Sequence, residues 1–319
     1  VSHLANFDLI ILFFVLGVVA SWMKSDLVIP DSASKFISIF LLLSLGLKGG
    51  HEVRIAEDLL GFFPSLFIGL LSCLILPFVL FAFLKKKLGV ANAAALAASY
   101  GSVSAVTFIT AQSILENSEI SSSGFMVAVM AIMEVPAILI AIYFYRKYSQ
   151  DQAQGKRKMW LSIFSMKSVV LLVGGFFIGL FMNDKSWIGI APVVQGCFKG
   201  VLAFFLLDLG LVAQKQLKQA WGFKLIGLIV ACLLPIVFGS LALIAGHFLG
   251  LSRGDQILTA VLVGSASYIA APATIRSTIP EANPSLYLAL PLAITFPMNL
   301  LFGISFYVEL SLLNFNFFI

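Results

Sequence analysis

Charge is scarce in this chain. Only 11% of its 319 residues are Asp, Glu, Lys or Arg, and 60% are apolar, whereas a soluble domain carries roughly one charged residue in four. Water is therefore not its principal solvent. Cysteine is scarce as well: Cys73, Cys197 and Cys232 stand singly in apolar stretches, with no CxxC spacing and no histidine cluster. That excludes a zinc or thiol-redox motif and leaves them packing roles. No GxxxxGK[ST] phosphate cradle and no HExxH occur, so neither ATP drive nor zinc hydrolysis has a foothold. The three histidines lie outside the mid-span serine motifs described below, which denies those serines a base. An enzyme is not expected, and no cofactor is implied. The first apolar run, Leu9 to Ala20, has no Lys or Arg before it; without the basic flank of a secretory signal it counts as a first membrane span.

What is present is length in apolar runs. A bilayer core of about 30 Å takes roughly 20 apolar residues per helix. Runs near 7 to 23, 33 to 48, 60 to 84, 91 to 115 and 123 to 146 are followed, after the hydrophilic SQDQAQGKRK of Ser149 to Lys158, by runs near 166 to 182, 193 to 213, 221 to 249, 255 to 278 and 285 to 310. The expectation is an all-α integral membrane protein of ten transmembrane helices. Residues 1–148 form a first five-helix repeat, 149–165 a cytoplasmic connection and 166–319 a second repeat. Leu45-Gly46-Leu47 matches Leu209-Gly210-Leu211, Gly101-Ser102-Val103-Ser104 matches Gly264-Ser265-Ala266-Ser267, and Pro136 matches Pro297, at offsets of 164, 163 and 161. An odd number of crossings per repeat inverts the second one, the plan of many secondary transporters. Of the 20 Lys and Arg, 15 fall on one side of this scheme, which places that side in the cytoplasm and both termini outside.

The fourth span of each half carries polar residues and glycine where lipid-facing helix should be most apolar: Tyr100 to Phe108 and Gly264 to Thr274. A helix broken there frees backbone N–H and C=O groups that hydrocarbon cannot satisfy and a polar ligand can. The N-terminus of the second half-helix suits a small anion, and the freed carbonyls and hydroxyls suit Na⁺. The small residues Ala93 to Ala98, by contrast, read as close helix packing. Asp208 in LLDLGLVA and Glu134 in MEVPA are carboxylates inside apolar runs, expensive unless paired or bound to a cation. Thr295 and Asn299 place oxygen near Pro297 in the last span. Lys48, His51 and Arg54 are expected at a membrane interface.

At these residues the chain resembles the sodium-dependent bicarbonate transporter family of cyanobacteria and other bacteria. The resembling stretches are GLKGG (46–50), GSVSAVTF (101–108), EVPA (134–137), LDLGL (207–211) and a long one from Gly264 to Ala289 that includes PATIR and IPEANPS. The resemblance implies a core domain and a gate domain, an elevator-like movement, a homotrimer in the bacterial plasma membrane, and Na⁺ as the coupling ion. A cytoplasmic PII-like regulator is a further implied partner, and nucleic acid is not. It places bicarbonate at Gly101, Ser102, Val103, Ser104, Ser265, Ala266, Ser267 and Tyr268. Sodium falls to Ser102, Thr107, Glu134, Asp208, Ser267 and Asn299. Tyr268 stands where some members carry an acid, and EVPA where some carry Asp-Ile-Pro-Ala. The competing readings are Na⁺- or H⁺-coupled transport of another small carboxylate, and a non-transporting receptor or scaffold.

Overall fold

Apolar sequence in lipid must satisfy its backbone polar groups internally, which a helix does. The computed structural model describes residues 9–55, 60–149, 167–220 and 225–313, and every element among them is helical. In chain order these are α1 (Leu9–Trp22), α2 (Asp31–Ile55), α3 (Phe62–Leu88), α4 (Val90–Gly101), α5 (Ala105–Asn117), α6 (Met126–Met133) and α7 (Pro136–Tyr148). There follow α8 (Lys167–Phe181), α9 (Asp184–Val194), α10 (Phe198–Ala220), α11 (225–248), α12 (Arg253–Val263), α13 (Ala270–Thr278) and α14 (Ser285–Leu310). His3 and, apart from Ser149, the 149–165 connection lie outside the described residues.

Seven segments of the described residues are long and apolar enough to cross a membrane: 31–55, 62–88, 90–117, 126–148, 184–217, 226–248 and 285–310. The first and sixth expected spans correspond to shorter apolar helices, Ile10–Trp22 and Val170–Phe181. The ninth corresponds to the pair α12 and α13, separated by an unwound segment.

The helices pack as two groups. In one, α1 lies along α10 and α2 along α8. Glycine makes both seams possible. Gly17 and Gly210 face each other so closely that a methyl on Gly17 would strike backbone atoms of Leu207 and Leu211. Gly46 and Gly175 meet in the same way, a methyl on Gly46 striking Leu172 and Phe176. Small residues let membrane helices approach to backbone contact. Gly50 and Gly179 extend the second seam, so the GLKGG motif is a helix-packing surface.

The second group contains α3 to α7 and α11 to α14. Here α4 is buried between α3 and α7, and Ala93 to Ala98 are almost fully enclosed, as close packing requires. Of the cysteines Cys73 is fully buried, its thiol directed at the Met133 carbonyl at 3.4 Å. Cys232 is half-buried and packs against the core around Tyr100 and Ala231, whereas Cys197 is exposed.

Prolines shape this group through the carbonyls they orphan. Proline has no N–H for the carbonyl four residues earlier. Pro291 thus frees the carbonyl of Tyr287, which accepts from Ser99 Oγ at 3.0 Å. Pro235 frees that of Ala231, which accepts from Thr295 Oγ1 at 2.8 Å. The helix widens into π turns at Ile229–Leu233, Ser285–Ala289, Pro291–Thr295 and Asn299–Gly303, and crossing helices supply the missing donors. The last span is therefore continuous but underwound around Pro291 and Pro297, whereas the counterpart at Glu134 and Val135 separates α6 from α7.

Candidate functional site

Helix α4 ends at Gly101 and α5 begins at Ala105; α12 ends at Val263 and α13 begins at Ala270. With 12 and 11 residues before the break and a rise of about 1.5 Å each, both breaks fall some 15 to 18 Å along their spans. That is near the midplane of a ~30 Å core. Glycine is needed at both. A side chain at Gly101 would meet Pro77 of α3 and Ala137 of α7, and one at Gly264 would meet the Tyr307 hydroxyl and the Pro235 carbonyl.

The two breaks cross and hold each other. The backbone N–H of Ser267 donates to the carbonyl of Ser99 at 2.7 Å, satisfying a carbonyl that the end of α4 leaves open. The backbone N–H of Ser104 donates to Ser265 Oγ at 2.9 Å, and Ser265 Oγ donates onward to the carbonyl of Leu262 at 2.8 Å. Ser104 caps α5: its Oγ accepts from the backbone N–H of Thr107 at 3.2 Å and from Thr107 Oγ1 at 2.9 Å. Ser267 does the same for α13, its Oγ accepting from the N–H of Ala271 at 3.1 Å. Ser102 Oγ donates to the carbonyl of Glu134 at 2.8 Å, tying the first break to the junction of α6 and α7. Asn299 Nδ2 donates to the carbonyl of Gly264 at 2.8 Å, tying the second break to α14. Its Oδ1 is buried without a hydrogen bond.

Between the two capped N-termini is a cavity of about 30 Å³, the scale of a small ion. Val103, Ser104, Ala105 and Val106 line it from the start of α5, and Ser267, Tyr268, Ile269 and Ala270 from the start of α13. Glu134 lies at its edge. Both half-helices thus present the positive ends of their dipoles to one space, the arrangement that receives small anions elsewhere. The other wall is Ser38 and Leu42 of α2 and Phe205 of α10. These three come from the other helix group, so the cavity lies on the seam between the groups.

The structure accordingly gathers Gly101, Ser102, Val103, Ser104, Thr107, Glu134, Ser265, Ala266, Ser267 and Tyr268 in and around one crossing, each lining the cavity or within two residues of a lining position. Asn299 reaches it through Gly264. Asp208 does not line it. It lies one turn along α10 from Phe205, which does, and its side chain is hydrogen-bonded to Ser34, with Asp31 at the start of α2 and Lys215 further along α10 nearby. Among the described residues no group of three or more His, Cys, Asp or Glu converges. The oxygens available to a cation here are hydroxyls, carbonyls, Glu134 and Asn299, the hard donors that alkali ions take at helix breaks.

Sequence reasoning missed Ser38, Leu42 and Phe205. The one local signal was Ser38 itself, a hydroxyl in the apolar run FISIFLLL. Each member of the interface triplet has a partner: Lys48 pairs with Glu116 of α5, Arg54 with Asp184 of α9, and His51 stacks on Trp187 at 4.1 Å.

Comparison with known families gives a match over residues 10–312 to the model described as the Na⁺-dependent bicarbonate transporter superfamily. No curated protein matches.

Proposed function

The chain belongs to the Na⁺-dependent bicarbonate transporter superfamily, and from that membership we propose that it is a Na⁺:bicarbonate symporter working by alternating access. The observation that carries the proposal is the meeting of the α5 and α13 N-termini on one ion-sized cavity. Bicarbonate takes the first-turn N–H groups and the Ser104 and Ser267 hydroxyls, with Val103, Ala266 and Tyr268 shaping the space. Sodium takes oxygens behind it, from Ser102, Thr107, Ser267, Glu134 and Asn299. Neutralising the anion locally makes each ion's binding favour the other's.

Coupling is required on energetic grounds. Carrying one negative charge inward against an inside-negative potential costs roughly 2.3 kcal/mol per 100 mV, and an inward Na⁺ gradient offsets it.

Movement is proposed to follow the seam. The group of α3 to α7 and α11 to α14 contains both breaks and acts as the core; α1, α2 and α8 to α10 act as the gate. The reciprocal glycine seams, Gly17 with Gly210 and Gly46 with Gly175, support a ten-helix scheme of two inverted repeats, since each pairs a helix of one half with its counterpart's neighbour in the other. Sliding of the core past Ser38, Leu42 and Phe205 would open the cavity alternately to either face, with both chain termini outside.

Equilibrium binding tests the site. Labelled bicarbonate should bind the purified protein in NaCl and lose most of its affinity in choline chloride. Equal affinity in both salts contradicts a shared site.

A further inference from the structure

At the end where α2 gives way to α3 and α5 to α6, the helices α2, α6 and α8 diverge. They leave a cleft of about 360 Å³ that shares no lining residue with the ion-sized cavity. Phe62, Phe125, Ala128, Ile132, Val173 and Phe177 are among its lining residues, and every residue that lines it is apolar. An apolar cavity of roughly 150 Å³ stays dry and takes up a hydrocarbon such as benzene; this one is more than twice that size. It opens sideways, since Ile132 is 41% and Phe177 52% exposed. The floor is made of Ala128 and Ala131 between phenylalanines, so the cleft exists because small residues stand where larger ones would close it.

We propose that this cleft binds one acyl chain of a surrounding membrane phospholipid, wedged between the α2 and α8 pair and α6. A polypeptide segment is a poor occupant, because its N–H and C=O groups would meet a lining with no polar partner. Next along α2 from the lining residue Val53, the helix ends carry the Arg54 and Asp184 ion pair and Trp187 stacked on His51. Basic and indole side chains of this kind settle at headgroup level, so the chain's polar end has a place to lie. Because α2 and α8 lie in one helix group and α6 in the other, the lipid occupies the seam along which those groups meet. The binding site rests on the membrane placement alone, and its failure would leave the transport reading untouched.

The test is photolabelling of the full chain in nanodiscs containing a trace of phosphatidylcholine with a diazirine at mid-chain, followed by peptide mapping. Residues 128–132 and 173–177 should be labelled several-fold more than the exposed Phe63, Phe67 and Phe78 on the outer face of α3. Ala128→Leu should remove that excess and leave the α3 labelling as it was. Cleft labelling no greater than that of α3, labelling that persists in Ala128→Leu, or cleft peptides crosslinked to a second copy of the chain would each overturn the proposal. If Ala128→Leu does not fold, the ratio measured on the unaltered protein decides.

Discussion

The backbone N–H of Ser104 donates to the Oγ of Ser265 at 2.9 Å, so the break in one helix is fixed by the break in the other. Together with the 2.7 Å bond from the N–H of Ser267 to the carbonyl of Ser99, it sets the spacing of the two half-helix N-termini and hence the width of the cavity.

Filling that space should stop transport. Ser104→Leu and Ser267→Leu are each expected to lower Na⁺-dependent bicarbonate uptake by at least roughly tenfold, a barrier change of ~1.4 kcal/mol, with the monodisperse chromatographic profile kept. Ser104→Ala removes the cap of α5, a loss of about 1 kcal/mol in stability, and one proposed ligand hydroxyl, but leaves the space and the backbone N–H groups open. It should retain more uptake than the leucine variant. Uptake unchanged in both leucine variants would remove these serines from the site.

Asp208 is not among the residues that line the cavity, and its side chain is hydrogen-bonded to Ser34. Asp208→Asn should therefore keep the Na⁺ dependence of uptake, whatever its effect on rate. Measuring uptake against Na⁺ concentration checks this. Loss of the dependence would return Asp208 to the ion-binding set.

The ion pair of Lys48 with Glu116 joins α2 of one helix group to α5 of the other, and both side chains are partly exposed, at 23% and 40%. An exposed pair contributes ~0 to 1 kcal/mol to stability, so Glu116→Gln should leave the melting temperature almost unchanged. It should instead loosen the seam. In a Cys197→Ser background, an impermeant thiol reagent applied from the Glu116 face is expected to reach Ala105→Cys faster when Glu116 is also replaced by Gln. Equal labelling rates would show that the pair does not hold the groups together.

Adjacent glycines offer an internal control on the packing account. A methyl on Gly175 would meet the Leu43 carbonyl and Gly46, while Gly174 has nothing within 4 Å of the corresponding position. Gly175→Val should cost ~1 to 3 kcal/mol as overpacking and lower thermal stability, and Gly174→Ala should not. Similar melting curves for the two variants would contradict a seam at backbone contact.

Much of this site was legible in the amino-acid order because its signals are local. Gly and Ser in the middle of apolar runs mark breaks wherever they occur, and a repeat at a constant offset says that two such breaks belong together. Ser102, Ser104, Thr107 and Ser267 followed from that. What the order does not carry is which helix lies opposite. Ser38, Leu42 and Phe205 meet the cavity only through the packing of α2 and α10 against the crossing. Asp208 shows the converse: a carboxylate in an apolar run announces that it is enclosed, but its partners come from the start of α2, more than 170 residues earlier. The proline effects were half visible, since Pro235 and Pro291 name the orphaned carbonyls while the donors, Thr295 and Ser99, are tertiary facts.

The central claim is that the two crossed breaks carry bicarbonate together with Na⁺. Uptake of labelled bicarbonate into proteoliposomes of the purified protein tests it most directly, with an inward Na⁺ gradient and with the gradient replaced by choline. Accumulation that depends on the Na⁺ gradient and disappears in Ser104→Leu is the predicted result. Folded protein that moves bicarbonate equally in both conditions, or not at all, would contradict it.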